Sequence, residues 1–291
     1  MKVLITGING FVGKQLSLFL KSKNFDVVGL THSNPSQGVY LWDIHNDYVD
    51  ENALMSVDIV INLAGETIAQ RWTSKTKKRI YDSRVNGTKL LFNKLRENNI
   101  QLKLYIGMSA VGIYGNLSTK NHPLTEDAPF GNDFLAKVCS DWEAQHNLFK
   151  QISNRTVLLR SGTIIHKDGG VLKKMLPFAK LGVLSELGNG EQILSWISLN
   201  DIVRMIDFII TQTECEGVYN AVSGNISNKD FTRILLAHFN KKPIFPKVPA
   251  LLIKLFFGEM SSVLLKGLVI SNQKSKQIMF NYVDKYLNKC L

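Results

Sequence analysis

Three glycines near the amino terminus have the spacing of a nucleotide-binding turn. Gly7, Gly10 and Gly13 lie in VLITGINGFVG, after a short apolar run and before a helical pattern. The first permits a tight turn, the second lets the backbone approach a pyrophosphate, and the third lets a helix pack closely on a strand. The sequence therefore predicts a dinucleotide-binding turn. The other residues of this turn that we expect to contact the cofactor are Asn9, Phe11 and Val12.

The end of the second predicted strand indicates which dinucleotide binds. An acid at this point normally binds the ribose 2′-hydroxyl of NAD. Here the strand ends in GLTHSN, with Thr31 and His32 where the acid would stand. NADP(H) is therefore favoured over NAD(H), although His32 could equally be an exposed loop residue. Asp43, in YLWDIH, is predicted either to contact the adenine amino group or to cap a turn.

Further strand ends are predicted to line the same groove, because the carboxyl ends of parallel strands meet at one edge of a sheet. NLAGE ends one apolar run, SAVGIYG ends the next, and SGTI follows a third. Glu66 could instead cap a helix. The cofactor contacts predicted from these ends are Leu63, Ala64, Gly65, Glu66, Ser109, Ser161, Gly162, Thr163 and Ile164.

Strand-like and helical patterns alternate along the chain, which is typical of an α/β doubly wound parallel sheet. Clustered glycines and irregular apolar segments after about residue 165 predict a smaller C-terminal substrate lobe. We predict a dinucleotide-binding domain at 1–220, with 165–195 contributing to the lobe, and a small, mostly helical region at 221–291. One long helix is expected over residues 74–98 and another over 133–150.

The cysteines indicate a reducing compartment. Cys139, Cys215 and Cys290 stand far apart and share no metal-ligand spacing with the histidines. Reduced thiols of a cytoplasmic protein are the simplest interpretation, and no metal is expected. The segment 248–270 is the best membrane candidate, but its three charged residues favour a packed helix that could cover a pocket.

The formal net charge of +11 favours anionic ligands. The dense basic stretch RWTSKTKKRIYDSR, residues 71–84, is not interleaved with an array of stacking aromatics of the kind that a nucleic-acid site uses. It is predicted to be either a solvated helix face or a rim that attracts anions. A small-molecule substrate is the expected partner, rather than a nucleic acid or a membrane.

The motifs together resemble the extended short-chain dehydrogenase/reductase superfamily, and within it the atypical branch of epimerase family proteins. The resemblance runs nearly end to end, through ITGINGFVG, NLAGETIAQRWT, FLAKVCSDWE and GEMSSVLLKG. It implies a Rossmann domain of the NAD-dependent epimerase/dehydratase type, followed by a small C-terminal region. By fold-level analogy a homodimer could form through the helices that hold residues 89–95 and 136–149.

The resemblance also shows which residues have changed. Members of the superfamily carry Tyr-x-x-x-Lys, whose tyrosine transfers the proton while hydride moves. Aligning FLAKVCSDWE on Glu143 places Leu135 at the tyrosine and Cys139 at the lysine, with Lys137 off register. RVNGT places Arg84 where the superfamily has an asparagine. Arg84 could bind the cofactor pyrophosphate or a substrate anion.

Two hydroxyls are candidate catalytic groups in place of the missing pair, Ser109 and Tyr114. We expect an NADP(H)-binding oxidoreductase or epimerase-like protein acting on a small substrate. The alternative is a non-catalytic NADP(H)-binding redox sensor or regulatory protein, which the missing pair favours. Trp196 is expected to pack in the core or to cover the site.

Overall fold

A large, mainly parallel sheet forms the centre of the molecule. The computed structural model describes residues 1–117, 122–244 and 247–291. In chain order its strands are β1 (Lys2–Thr6), β2 (Asp26–Thr31), β3 (Val39–Asp43), β4 (Tyr48–Val49), β5 (Ile59–Asn62), β6 (Leu104–Ala110), β7 (Thr156–Ser161), β8 (Thr163–His166), β9 (Glu186–Leu187), β10 (Ile193–Ser198), β11 (Gly217–Ala221), β12 (Gly224–Ser227) and β13 (Lys247–Val248). Eight strands form the main sheet in the order β11-β7-β6-β5-β1-β2-β3-β4. Only the β3–β4 pairing within it is antiparallel.

Helices cover both faces of this sheet. The α-helices of the described ranges are α1 (Phe11–Ser22), α2 (Ser74–Tyr81), α3 (Gly87–Glu97), α4 (Phe134–Leu148), α5 (Gly170–Lys180), α6 (Leu199–Thr211), α7 (Asn228–His238), α8 (Ala250–Phe257), α9 (Ser261–Leu265) and α10 (Gln273–Gln277). One core cluster joins the sheet to α1 and α6, and a second joins it to α3. The α/β doubly wound prediction is confirmed, since the strand order reverses direction on either side of β1.

A smaller lobe lies beside the main sheet. It contains the three-stranded sheet β12-β10-β8, the β13–β9 pair, and helices α5 and α7. Trp196 is 3% exposed and packs in the core of this lobe. The tail then returns to the main domain, where Phe280 and Tyr282 join the main core. The buried carboxylate of Asp201 accepts hydrogen bonds from the backbone N–H groups of Val283 and Asp284.

The predicted division at residue 220 stays a prediction. The residues after it are shared between the lobe and the main domain.

The prediction of one helix over residues 74–98 is confirmed in its extent, but the centre of this helix is not regular α-helix. α2 ends at Tyr81, a π-helical turn spans Asp82–Asn86, and α3 begins at Gly87. A π turn inserts an extra residue into the helical repeat and is often found at functional sites. The inserted turn carries Arg84.

The prediction of a packed helix over residues 248–270 is wrong. Gly258 has φ +58°, so the backbone leaves the helical conformation there and two short helices result, α8 and α9. Only Ile253 of α8 is buried, while Leu251 and Phe256 are 77% and 70% exposed. No helix within the described ranges is both long and apolar enough to cross a membrane.

Candidate functional site

The turn between β1 and α1 forms a cradle for an anion. Gly7 has φ +66°, and its carbonyl accepts a hydrogen bond from Gly10 N–H at 2.9 Å. A Cβ at Gly13 would lie 2.3 Å from Gly7 O, so this close approach requires glycine. α1 begins at Phe11, has no side-chain cap, and has no acid in its first turn. Its first N–H groups and the positive end of its dipole are therefore free to bind a phosphate.

No acid stands at the end of β2. Thr31 is buried, and its hydroxyl donates to Ser33 O at 2.8 Å and accepts from Asn9 Nδ2 at 3.4 Å. His32 follows it and is exposed. A ribose 2′-phosphate at this strand end would meet no carboxylate from either residue.

Asp43, at the end of β3, caps a turn. Its carboxylate accepts from His45 N–H and Asn46 Nδ2 at 2.8 and 2.7 Å. The Asn46 side chain and the His45 backbone hydrogen bonds hold the pKa of Asp43 below its usual value. Turn capping accounts for this aspartate, and its adenine contact stays a prediction.

The end of β5 is fixed by buried hydrogen bonds. Thr6 Oγ1 donates to Asn62 Oδ1 at 2.7 Å and accepts from the N–H groups of Leu63 and Ala64. Asn62 Nδ2 in turn donates to Thr88 and Tyr105. This bonding holds the backbone of Leu63 and Ala64 beside the glycine turn, where a Cβ at Gly7 would lie 3.1 Å from Ala64 Cα.

Arg84 lies against the end of β5. Its Nη1 donates to Glu66 O at 2.9 Å and to Ile80 O at 3.3 Å. A Cβ at Gly65 would lie 2.9 Å from the guanidinium carbon, so glycine leaves the space that the arginine occupies. Burial lowers the pKa of Arg84, yet a guanidinium stays charged at neutral pH.

The α4 segment contains no acid–base pair at the predicted positions. Cys139 is 4% exposed, and burial raises the pKa of its thiol to about 12, so it stays neutral. Leu135 packs near Gly112 at the end of β6. The side chain of Lys137 is 72% exposed and pairs with Asp141 at 3.2 Å. This placement agrees with the predicted helix register.

The two candidate catalytic hydroxyls belong to a buried network. Ser109 Oγ donates to Glu143 Oε1 at 2.7 Å, and Tyr114 Oη donates to Asn220 Oδ1 at 2.7 Å. Ser109 is 1% exposed and Tyr114 is fully buried. Burial also raises the pKa of Tyr114. A catalytic role for either hydroxyl stays a prediction, and it requires this network to open.

Arg160 joins the two hydroxyls into one network. Its Nε and Nη2 each lie 2.8 Å from a different oxygen of Glu143, and its Nη1 donates to Tyr114 Oη at 3.1 Å. The pairing of Glu143 with Arg160 was not predicted from the sequence. The only indication in the sequence was that Glu143 and Arg160 are each a charged residue within a predicted apolar element.

The residues that come directly after β7 form the wall of the groove on the side of the smaller lobe. A Cβ at Gly162 would lie 2.7 Å from Ser195 O, so β10 approaches closely here. Thr163 and Ile164 begin β8 and are partly exposed. The Phe11 ring lies in the space that a Cβ at Gly169 would fill, which joins the start of α1 to the lobe. Gly169 belongs to the glycine cluster that predicted the lobe, but nothing in the sequence indicated its contact with Phe11.

The structure thus brings the predicted cofactor residues of β1, β5, β6 and β7 to one edge of the sheet. The cradle at α1 and the acid-free end of β2 fit a dinucleotide with a 2′-phosphate. Within the described part of the chain, no group of three or more His, Cys, Asp or Glu residues could hold a metal ion.

Comparison with known proteins agrees with this geometry. Residues 3–221 match the model of the NAD dependent epimerase/dehydratase family. An epimerase family protein of Mycobacterium bovis is 33% identical over 274 residues, covering 93% of this chain and 88% of that protein. A chloroplastic epimerase family protein of Arabidopsis thaliana is 30% identical, covering 100% of this chain and 86% of its own length.

A solved structure shows the same fold. The crystal structure of human epimerase family protein SDR39U1 with NADPH has a TM-score of 0.88 and 25% identity, covering 100% of this chain and 97% of that one. The resemblance read from the sequence motifs is confirmed. This chain belongs to the NAD-dependent epimerase/dehydratase family.

Proposed function

We propose that this chain binds NADPH and catalyses an oxidoreductase or epimerase-like reaction on a small molecule. The observation that carries the proposal is the start of α1, which has no side-chain cap and whose Gly13 lies in close contact with Gly7. The neighbouring strand β2 ends without an acid. The human relative crystallised with NADPH supports the choice of cofactor. When bound, NADPH supplies a hydride.

The proposed cofactor residues divide by position. The start of α1 receives the pyrophosphate, and Thr31 and His32 face the 2′-phosphate. The ends of β5 and β7 hold the nicotinamide half. Reduction of a carbonyl also needs a proton at oxygen, for which Ser109 and Tyr114 are the proposed donors.

A non-catalytic sensor is the second candidate. The observation that favours it is the side-chain chemistry of α4, where Leu135 and a neutral Cys139 replace the usual proton donor and its lysine. A sensor would bind NADPH tightly and return it unchanged. We also propose a cytoplasmic location, since the three cysteines are buried free thiols.

One experiment separates the two candidates. The protein is titrated with NADPH by calorimetry, and the fluorescence of bound NADPH is then followed with a panel of aldehydes, ketones and keto acids. An enzyme oxidises NADPH with at least one compound, at a rate that Gly10→Asp abolishes. Tight binding without oxidation by any compound favours the sensor. No NADPH binding would contradict both.

A further inference from the structure

Among the residues that the structure describes, Arg84 is a fixed cation that forms no ion pair with a carboxylate. Its only hydrogen bonds within the described ranges go from Nη1 to two backbone carbonyls, those of Glu66 and Ile80. The nearby Glu66 carboxylate instead accepts from Gln70 Nε2 at 2.8 Å. A charged group removed from water is costly unless an opposite charge or further hydrogen bonds compensate it. The Nη2 edge of the guanidinium is therefore available for an oxygen anion.

The surroundings of Arg84 hold this edge in one orientation. The guanidinium carbon lies 5.3 Å from the centre of the Trp142 ring, on α4. The backbone at Gly65 approaches it from the opposite element, where a Cβ would come within 3.0 Å of Nη2. A planar guanidinium held in this way is suited to a carboxylate or phosphate, which it can bind through two parallel hydrogen bonds.

The position of Arg84 relative to the sheet indicates which molecule supplies the anion. Both anionic parts of NADPH, the pyrophosphate and the 2′-phosphate, are assigned to the ends of β1 and β2. Arg84 lies on the other side of β1, at the end of β5. It is close enough to Cys139, which lies just beyond the end of β6, for its positive charge to oppose the rise in the pKa of that thiol. That side of the groove is assigned to the nicotinamide half, which carries no acid of its own.

We propose that Arg84 binds a carboxylate or phosphate group of the substrate, so that the substrates of this protein are small organic acids or phosphorylated compounds. The inference rests on the proposed function, because it uses the orientation of NADPH in the groove. The alternative source of the same chemistry, the cofactor pyrophosphate, is decided by the experiment. The net charge of +11 also favours acidic ligands.

The test measures acid binding and cofactor binding separately. Malonate, inorganic phosphate and the neutral analogue malonamide are titrated by calorimetry into the protein, with and without saturating NADPH. The parent should bind at least one of the two anions and not malonamide. Arg84→Gln, whose amide can still donate to the backbone, should weaken anion binding by at least about tenfold. NADPH affinity should change by less than about threefold.

Two further variants control for charge and folding. Lys137→Gln removes one positive charge from the exposed face of α4 and should leave anion binding unchanged. Arg84→Lys keeps the charge without the planar fork and should retain part of the binding. Circular dichroism of each variant confirms the fold.

Three results would overturn the inference. The first is that the parent binds neither anion, and the second is that Arg84→Gln binds the anions as tightly as the parent does. The third is a tenfold or greater loss of NADPH affinity in Arg84→Gln, which would assign the guanidinium to the cofactor. Failure of the parent to bind NADPH would instead overturn the proposed function. The difference in anion binding between the parent and Arg84→Gln, measured without NADPH, would still decide whether Arg84 is an anion site.

Discussion

Replacing Glu143 by glutamine should destabilise the protein strongly. Arg160 binds both oxygens of Glu143 at 2.8 Å, and the two side chains are only 4% and 7% exposed. Removing one charge of a buried pair costs about 3–5 kcal/mol, because the other charge is left uncompensated. Each kcal/mol lowers Tm by roughly 2–4 °C in domains of 150–250 residues. We therefore expect Tm to fall on the order of 10 °C.

Differential scanning calorimetry at neutral pH measures this effect. The matched control is Lys137→Gln, which breaks an exposed ion pair on the same helix, α4. Such pairs contribute about 0–1 kcal/mol, so Tm should change by no more than about 4 °C. If Glu143→Gln melted as the control does, the buried network would not hold β6, β7 and α4 together, and the enclosure of Ser109 would lose its explanation.

Three further predictions concern the cradle, the buried histidine and α4. Gly13→Ala should weaken NADPH binding at least about tenfold in calorimetry, because its Cβ would lie 2.3 Å from Gly7 O; unchanged affinity would contradict the close approach. Burial lowers the pKa of His146 from 6.5 to about 3, so below pH 6.5 the unfolded chain binds the extra proton. The free energy of unfolding, measured by urea titration, should then fall by up to about 1.4 kcal/mol for each pH unit below 6.5, and it should fall less steeply in His146→Gln. Equal slopes would contradict a neutral, buried His146. Cys139→Ser and Lys137→Ala should each leave NADPH affinity within about threefold, whereas a large loss in Lys137→Ala would mean that the α4 register is wrong.

Local patterns in the sequence predicted the parts of the site that depend on local geometry. Gly7 and Gly13 were identifiable because a turn from strand to helix needs glycine at fixed spacing, whatever surrounds it. The strand ends followed from the alternation of elements. The family resemblance added Arg84, as a changed residue in a recognisable motif.

Contacts between distant elements were not predictable in the same way. Glu143 and Arg160 meet because α4 packs against β7, and neither residue identifies its partner in the sequence. The π turn at 82–86 has no local signal, since the helical periodicity continues on both sides of it. Residues 248–270 were predicted to be a packed helix because they are largely apolar yet carry three charged residues, too many for a membrane span. Composition does not tell which neighbours cover a helix, and α8 is left largely exposed.

The most direct test of the account is the cofactor preference at the end of β2. Calorimetry should show that the parent binds NADPH at least about tenfold more tightly than NADH, because no carboxylate opposes the 2′-phosphate. His32→Asp places an acid at this exposed position and should reverse the preference towards NADH. Equal affinities in the parent, or a preference for NADH, would contradict the account.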